Sequence, residues 1–134
     1  LAGPKGTVLM FFRSAVWCPY CQAQLIAMND GAPEIEKRGY KLVGLSYEPP
    51  EVNKTFTDRR NISYVLLSDP KSEVIDRWGL RDPQYPVGNR AHGVPRPAIF
   101  ILDRQGVIRA SLAEETFQKR PPVSVVLKAI DDLR

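Results

Sequence analysis

The sequence is poor in the residues that build metal centres and covalent staples. Its 134 residues include two cysteines and one histidine. A closed zinc site takes four ligands, and Cys18, Cys21 and His92 supply no more than three sulfur or nitrogen donors. Zinc or an iron–sulfur cluster would have to be shared between two copies of the chain, so no metal and no cofactor is expected. Long apolar runs are also missing. The longest, "VLMFF" and "AIFIL", are strand-sized and far short of the ~20 residues that cross a bilayer. Charge of one sign is not concentrated either. Nineteen basic residues against fifteen acidic ones give a net +4, but the basic residues are scattered along the chain. Neither nucleic acid nor a membrane is therefore an expected partner. The chain starts at Leu1 rather than Met, as expected if an upstream piece was removed. A cleaved signal peptide would imply a periplasmic protein and its absence a cytoplasmic one; the sequence leaves that open.

What is present is a regular alternation of strand and helix. The length is that of one ordinary domain, and no linker or repeat divides residues 1–134. "TVLMFF" (7–12) is uninterruptedly apolar, as a central strand covered on both faces would be. In "CQAQLIAMND", Cys21, Leu25 and Met28 fall on one helical face. Pro33, two residues after Gly31, is expected to kink or break that helix. "YKLVGLSY" then completes a parallel βαβ unit. "PPEVNKTFTDRRN" and "SYVLL" repeat the pattern, with Asn61 closing the helix. "SDPKSEVIDRWG" reads as a short helix capped by Asp69 or Ser72 and stopped by Gly79. A loop holding Pro83, Pro86, Pro95 and Pro97 follows, long enough to suggest a function. "AIFILD" and "VIRASL" form a hairpin, and "PVSVVLKAIDDL" closes the chain as an amphipathic helix. The class is α/β.

The two cysteines sit in "VWCPYCQ" (16–22), just after a buried strand and at the mouth of a helix. Pro19 suits the first helical position, where its missing N–H is no loss. Unpaired N–H groups and the positive end of the helix dipole favour an anion at Cys18. A fall in its pKa from about 8.5 to about 7 would raise the thiolate at neutral pH from roughly 3% to roughly 50%. Cys21 lies one turn further in and can resolve a mixed disulfide on Cys18. A purely structural disulfide closing so short a loop would stabilise little. A redox pair is the favoured alternative.

"FFRSAVWCPYCQAQL" followed by "GVPRPAIFILD" resembles the peroxiredoxin-like AhpC/TSA branch of the thioredoxin fold, and the likeness extends through "GLSYEPP", "LLSDPKSEVIDRWG" and "LDRQGVI". It implies a mixed sheet of about five strands flanked by helices. In that sheet "AIFILD" would run antiparallel beside the first strand. Members usually carry a further hairpin upstream, absent here, which fits a trimmed N-terminus. The resemblance also implies a cis proline facing the thiols, and Pro97 aligns with it. Supporting roles are expected for Trp17, Pro19, Tyr20 and Arg96 beside the catalytic Cys18, Cys21 and Pro97.

Two departures separate possible activities. Peroxide-reducing members place Thr or Ser three residues before the reactive cysteine, where this chain has Ala15, with Ser14 one place off. Their pocket arginine has no clean match, Arg13 and Arg96 being the nearest. The first reading is thus thiol–disulfide exchange, with Cys18 as nucleophile and Cys21 as resolver. The alternative is a peroxiredoxin-like peroxidase passing through a Cys18 sulfenic acid. A non-catalytic metal or Fe–S carrier is the third. The partners expected are a disulfide or peroxide substrate and a thiol donor of the thioredoxin or glutathione type. The Pro-Tyr dipeptide is that of glutaredoxins, which implies a potential near about −200 to −230 mV.

Overall fold

In the computed structural model, residues 2–113 and 122–133 are described. The elements run β1 (Gly6–Phe11), α1 (Pro19–Lys37), β2 (Tyr40–Ser46), α2 (Pro50–Arg60), β3 (Val65–Ser68), α3 (Glu73–Arg77), β4 (Ala98–Asp103), β5 (Ile108–Ala113) and α4 (Val123–Asp131). The strands form one sheet in the order β3-β2-β1-β4-β5. β1 pairs parallel with β2 and antiparallel with β4, so Leu9 lies between Val43 and Phe100. The mixed five-stranded sheet and its order are those implied by the resemblance.

Strand alternation sorts the core into two layers. Val8, Met10 and Phe12 point to one face with Leu25, Met28 and Ile35 of α1, Phe56 of α2, and Val126 and Ile130 of α4. Leu9 and Phe11 point to the other, against Ile75 and Leu80 at α3. Trp78, Phe11 and Phe100 form a tilted triplet there, with centroids 4.8–5.8 Å apart. β1 is covered on both faces, which is why its sequence shows no polar alternation.

Pro33 does not break α1, contrary to expectation; the helix runs through it to Lys37. The proline lies on the exposed face, so the carbonyl of Asn29 that loses its helical donor is open to water. Gly31 has a different purpose from punctuation. A side chain there would collide with the methyls of Val123, so glycine lets α4 close onto α1. Arg38, just past α1, bonds both carboxylate oxygens of Asp131 and ties the same two helices at their ends.

α2 ends at Asn61 in the left-handed conformation (φ 53°), as its sequence suggests. For α3 the capping alternative resolves in favour of Asp69. Its carboxylate accepts from Glu73 N at 3.0 Å and Ile75 N at 2.9 Å. Ser72 occupies the cap position but donates its hydroxyl to Gly93 O instead, binding the long loop to α3.

Candidate active site

The site lies where β1 and β2 end. Beyond Phe11 the chain turns through residues 12–17 into α1, and beyond Ser46 it turns through Tyr47 and Glu48 into α2. Cys18 is the N-cap of α1 and Pro19 its first residue. The Cys18 sulfur accepts the N–H of Cys21 at 3.2 Å, as serine or aspartate would at an ordinary cap. The two cysteines are disulfide-bonded, their Cα atoms 5.2 Å apart. The N–H of Arg13 reaches the Cys21 sulfur at 3.3 Å. Both cysteines are sealed, Cys18 with 1% and Cys21 with 0% exposure.

A buried carboxylate holds the turn before Cys18. Glu48 accepts the Ser14 hydroxyl at 2.7 Å and the N–H of Ala15 at 2.9 Å. Ser14 in turn accepts the N–H groups of Val16 and Trp17 at 2.9 and 3.1 Å. Four consecutive residues, 14–17, are thereby tied, directly or through Ser14, to one side chain arriving from the end of β2. The same network commits Ser14: its proton is given to Glu48, and its lone pairs to the backbone. Removing the carboxylate in Glu48→Ala would strand two buried donors. We expect a loss of about 1–3 kcal/mol in urea unfolding and a slower reaction of Cys18. Glu48→Gln, which keeps an acceptor oxygen, should lose less.

The proline-rich loop packs on the other side of this turn. Arg13, 2% exposed, pairs with Asp82 at 3.2 Å, and its second terminal nitrogen donates to the Tyr85 hydroxyl at 2.7 Å. Its guanidinium also lies 5.5 Å from the Trp17 ring and 5.2 Å from the Tyr85 ring, both within cation–π range. Trp17 is half-buried against the core cluster containing both cysteines, and its indole N–H donates to the Tyr47 hydroxyl. That hydroxyl donates onward to Arg90 O at 2.7 Å. Burial, more than any neighbour, raises the Tyr47 phenol above its ordinary pKa and keeps it a donor. His92 is not a free loop histidine: Nδ1 faces Tyr85 O at 2.9 Å and Nε2 faces Arg81 at 3.2 Å.

Two expected site residues need correction. The peptide before Pro97 is trans, since no described residue follows a cis bond. Arg96 accounts for this locally: its N–H is bonded to Leu80 O and its guanidinium to Gly79 O, so the chain enters β4 from the α3 side. Those bonds also hold Arg96 by the α3 layer, across the sheet from the cysteine-bearing helix. Pro97 itself is buried and, by alternation from Ile99, belongs to the cysteine layer. Pro19 and Tyr20 are exposed at the helix mouth, Tyr20 at 44%. Glu48, Asp82, Tyr85 and Tyr47 were missed, and no local pattern marks them, because each reaches its partner across at least 30 residues.

The sheet order and the bonded Cys-X-X-Cys pair at the first helix define a thioredoxin-like dithiol protein. Residues 1–111 match the AhpC/TSA family, and the chain belongs to it. A candidate peroxiredoxin of Mycobacterium tuberculosis is 33% identical over 101 residues, which is 75% of this chain and 64% of that protein. Peroxiredoxin Bcp of Escherichia coli is 28% identical over the same shares of each chain. The chain thus spans 64% of the length of these curated relatives. The crystal structure of peroxidoxin BcpB from Mycobacterium tuberculosis aligns over 100% of this chain and 93% of its own, with a TM-score of 0.79 at 20% identity. That likeness is one of fold. Among the described residues, no helix is long and apolar enough to cross a membrane.

Proposed function

We propose that this chain is a thiol peroxidase in which Cys18 is oxidised by a peroxide and Cys21 resolves it. The observation that carries the proposal is the capping geometry: a cysteine sulfur at a helix N-terminus, receiving a backbone N–H, in a chain whose relatives are peroxiredoxins. Both the helix dipole and that N–H favour a thiolate at Cys18 once the disulfide is reduced. The thiolate attacks one peroxide oxygen, an S–O bond forms and the O–O bond breaks. The departing oxygen takes a proton and leaves as water or an alcohol, and the sulfur becomes a sulfenic acid. The Cys21 thiol then displaces hydroxide from that sulfur, releasing water and giving the disulfide. A dithiol or two monothiols must restore both cysteines. Because Cys18 is sealed, the reductant reaches it only when the turn at 14–20 opens.

The test is to mix reduced protein with hydrogen peroxide and, separately, with a model protein disulfide, and compare second-order rates. Faster peroxide consumption supports the proposal. Disulfide exchange is the second reading, and Ala15 favours it. No side-chain hydroxyl stands three residues before Cys18, and Ser14 is committed to Glu48. A donor aimed at the leaving oxygen is typically worth about 10²–10³ in rate. Ala15→Thr is therefore expected to raise the peroxide rate while leaving disulfide exchange nearly unchanged, both followed by Trp17 fluorescence. An unchanged peroxide rate would mean the donor is supplied by another group.

A further inference from the structure

The chain leaving β1 gives a backbone N–H to a sulfur. Phe12, just past the strand, still donates its N–H to Leu45 O of β2 at 3.0 Å. The next N–H, that of Arg13, meets the Cys21 sulfur at 3.3 Å. Buried backbone donors are ordinarily paired with oxygen, and the sulfur of a thiol or disulfide is a weak acceptor. A thiolate is a far better one, because a hydrogen bond to an ionised acceptor is roughly twice as strong. The Arg13 N–H therefore binds Cys21 more tightly as negative charge gathers on that sulfur. A contact that strengthens along the reaction lowers its barrier, whereas one that stays constant does not.

The direction of this N–H is set from both sides. Ahead of it is the bond of Phe12 to β2, and behind it the N–H of Ala15 is held by Glu48 at 2.9 Å. Between them the Arg13 side chain is clamped by Asp82 at 3.2 Å and by the Tyr85 hydroxyl at 2.7 Å. Cys21 in turn is fixed inside the first turn of α1. Both partners lie outside residues 14–20, so the opening that admits a reductant to Cys18 does not require their contact to break.

We propose that the Arg13 N–H is a catalytic donor to Cys21 as it leaves during reduction of the disulfide, with Tyr85 a positioning residue that acts through the Arg13 guanidinium. The proposal rests on Cys18 being the sulfur a reductant attacks, which both readings of the function share. A dithiol serves as reductant. One of its thiolates forms a bond to the Cys18 sulfur, the Cys18–Cys21 bond breaks, and the electron pair stays on Cys21 beside the Arg13 N–H. A sulfur stabilised as thiolate leaves faster. The second thiolate of the reductant then attacks the reductant sulfur of the mixed disulfide and releases Cys18. The protein gains two electrons, the dithiol becomes a disulfide, and its two protons pass through water to the cysteines.

The test opens the disulfide of the oxidised full chain with limiting dithiothreitol and follows Trp17 fluorescence. In one variant the α-hydroxy acid counterpart of arginine stands at position 13, exchanging the N–H for an ester oxygen and keeping the side chain with its clamp. That chain, and a wild-type control, are assembled by ligating residues 1–17 to 18–134 at Cys18. The ester chain should open about tenfold more slowly, less than the roughly 10²–10³ of an oxyanion donor because sulfur spreads its charge. The second variant, Tyr85→Phe, keeps the ring and removes the hydroxyl that Arg13 holds, and should open about threefold more slowly. The sign of the change is decisive. A clamp with a purely structural role would, once loosened, expose the sealed disulfide and speed its reduction. Unchanged or faster opening in the ester chain overturns the donor, and in Tyr85→Phe it overturns the positioning role. Brief opening with a monothiol, quenched in acid, should leave the adduct on Cys18; an adduct on Cys21 overturns the proposal as well. The peroxidase reading is judged separately. If reduced wild type ignores hydrogen peroxide while the ester still slows opening, that reading falls and the donor stands, because opening by a thiol needs no peroxide.

Discussion

Cys18→Ser should lose peroxide consumption by a factor on the order of 10⁴ or more, whereas Cys21→Ser should keep one fast turnover and then stop. A serine hydroxyl at this helix mouth has the same backbone donor and the same dipole. Its pKa is too high for either to ionise it near neutrality, so the nucleophile is lost outright. In Cys21→Ser the first step is intact. The sulfenic acid then forms and waits, because nothing in the chain can displace its hydroxyl. A dimedone-type trap should label Cys18 stoichiometrically in that variant and leave the wild type nearly unlabelled, since Cys21 closes the disulfide faster. Alkylation of the reduced wild type should begin near about pH 6–7 at Cys18, with Cys21 following only at higher pH. A variant lacking Cys18 that still consumes peroxide would reverse the two roles.

The asymmetry comes from the cap. Cys18 sits outside the helix and receives the N–H of Cys21, while Cys21 sits inside the first turn and receives the N–H of Arg13. Each sulfur receives a backbone N–H, so these two bonds alone do not separate them. Position along the helix dipole does. The field is strongest at the terminus and declines within the first turn, which favours Cys18 as the proposed nucleophile.

The placement of the two cysteines was legible in the sequence because it is local. Strand, Cys-Pro and helix follow one another within a dozen residues, and the burial of Cys21, Leu25 and Met28 on one face is set by helical spacing alone. The sheet order was legible through the family likeness. What stayed hidden depends on where a segment faces. Pro33 looked like a breaker, but a proline on the wet face of a helix already held by α4 only opens one carbonyl to solvent. Pro97 looked cis by analogy, yet the bonds of Arg96 to Leu80 and Gly79 fix the entry to β4 with a trans bond. Ser14 would point away from the cysteines if its segment were extended, since an extended segment alternates. The segment is in fact a turn, and hydrogen bonds to Glu48 decide its direction. Glu48 lies 34 residues from Ser14 and Asp82 lies 69 from Arg13, separations at which pattern carries no information.

Asp82→Ala should be the most damaging substitution away from the cysteines, with a loss of about 3–5 kcal/mol in urea unfolding. Arg13 and Asp82 are 2% and 4% exposed, so neither charge is solvated. Without the carboxylate, the guanidinium keeps the Tyr85 hydroxyl and the two rings, but its charge has lost its counterion in the interior. Asp82 also accepts the N–H of Gln84 at 3.0 Å and donates its own N–H to Val94 O at 2.9 Å, so the start of the loop loosens with it. Against a typical total of about 5–15 kcal/mol, such a loss could leave the protein only partly folded at 37 °C. The double variant Arg13→Met/Asp82→Leu separates charge from shape. It removes both ions and keeps the space filled, so it should recover to within about 1–2 kcal/mol of the wild type. Recovery of stability need not bring back the site. Methionine cannot hold Tyr85, and Arg13 is where the loop and the Cys21 sulfur are joined through one residue. The double variant should therefore unfold like the wild type yet show altered Trp17 fluorescence and a changed rate of disulfide closure. If Asp82→Ala unfolds within 1 kcal/mol of the wild type, the pair is not the clamp that fixes the loop against the turn.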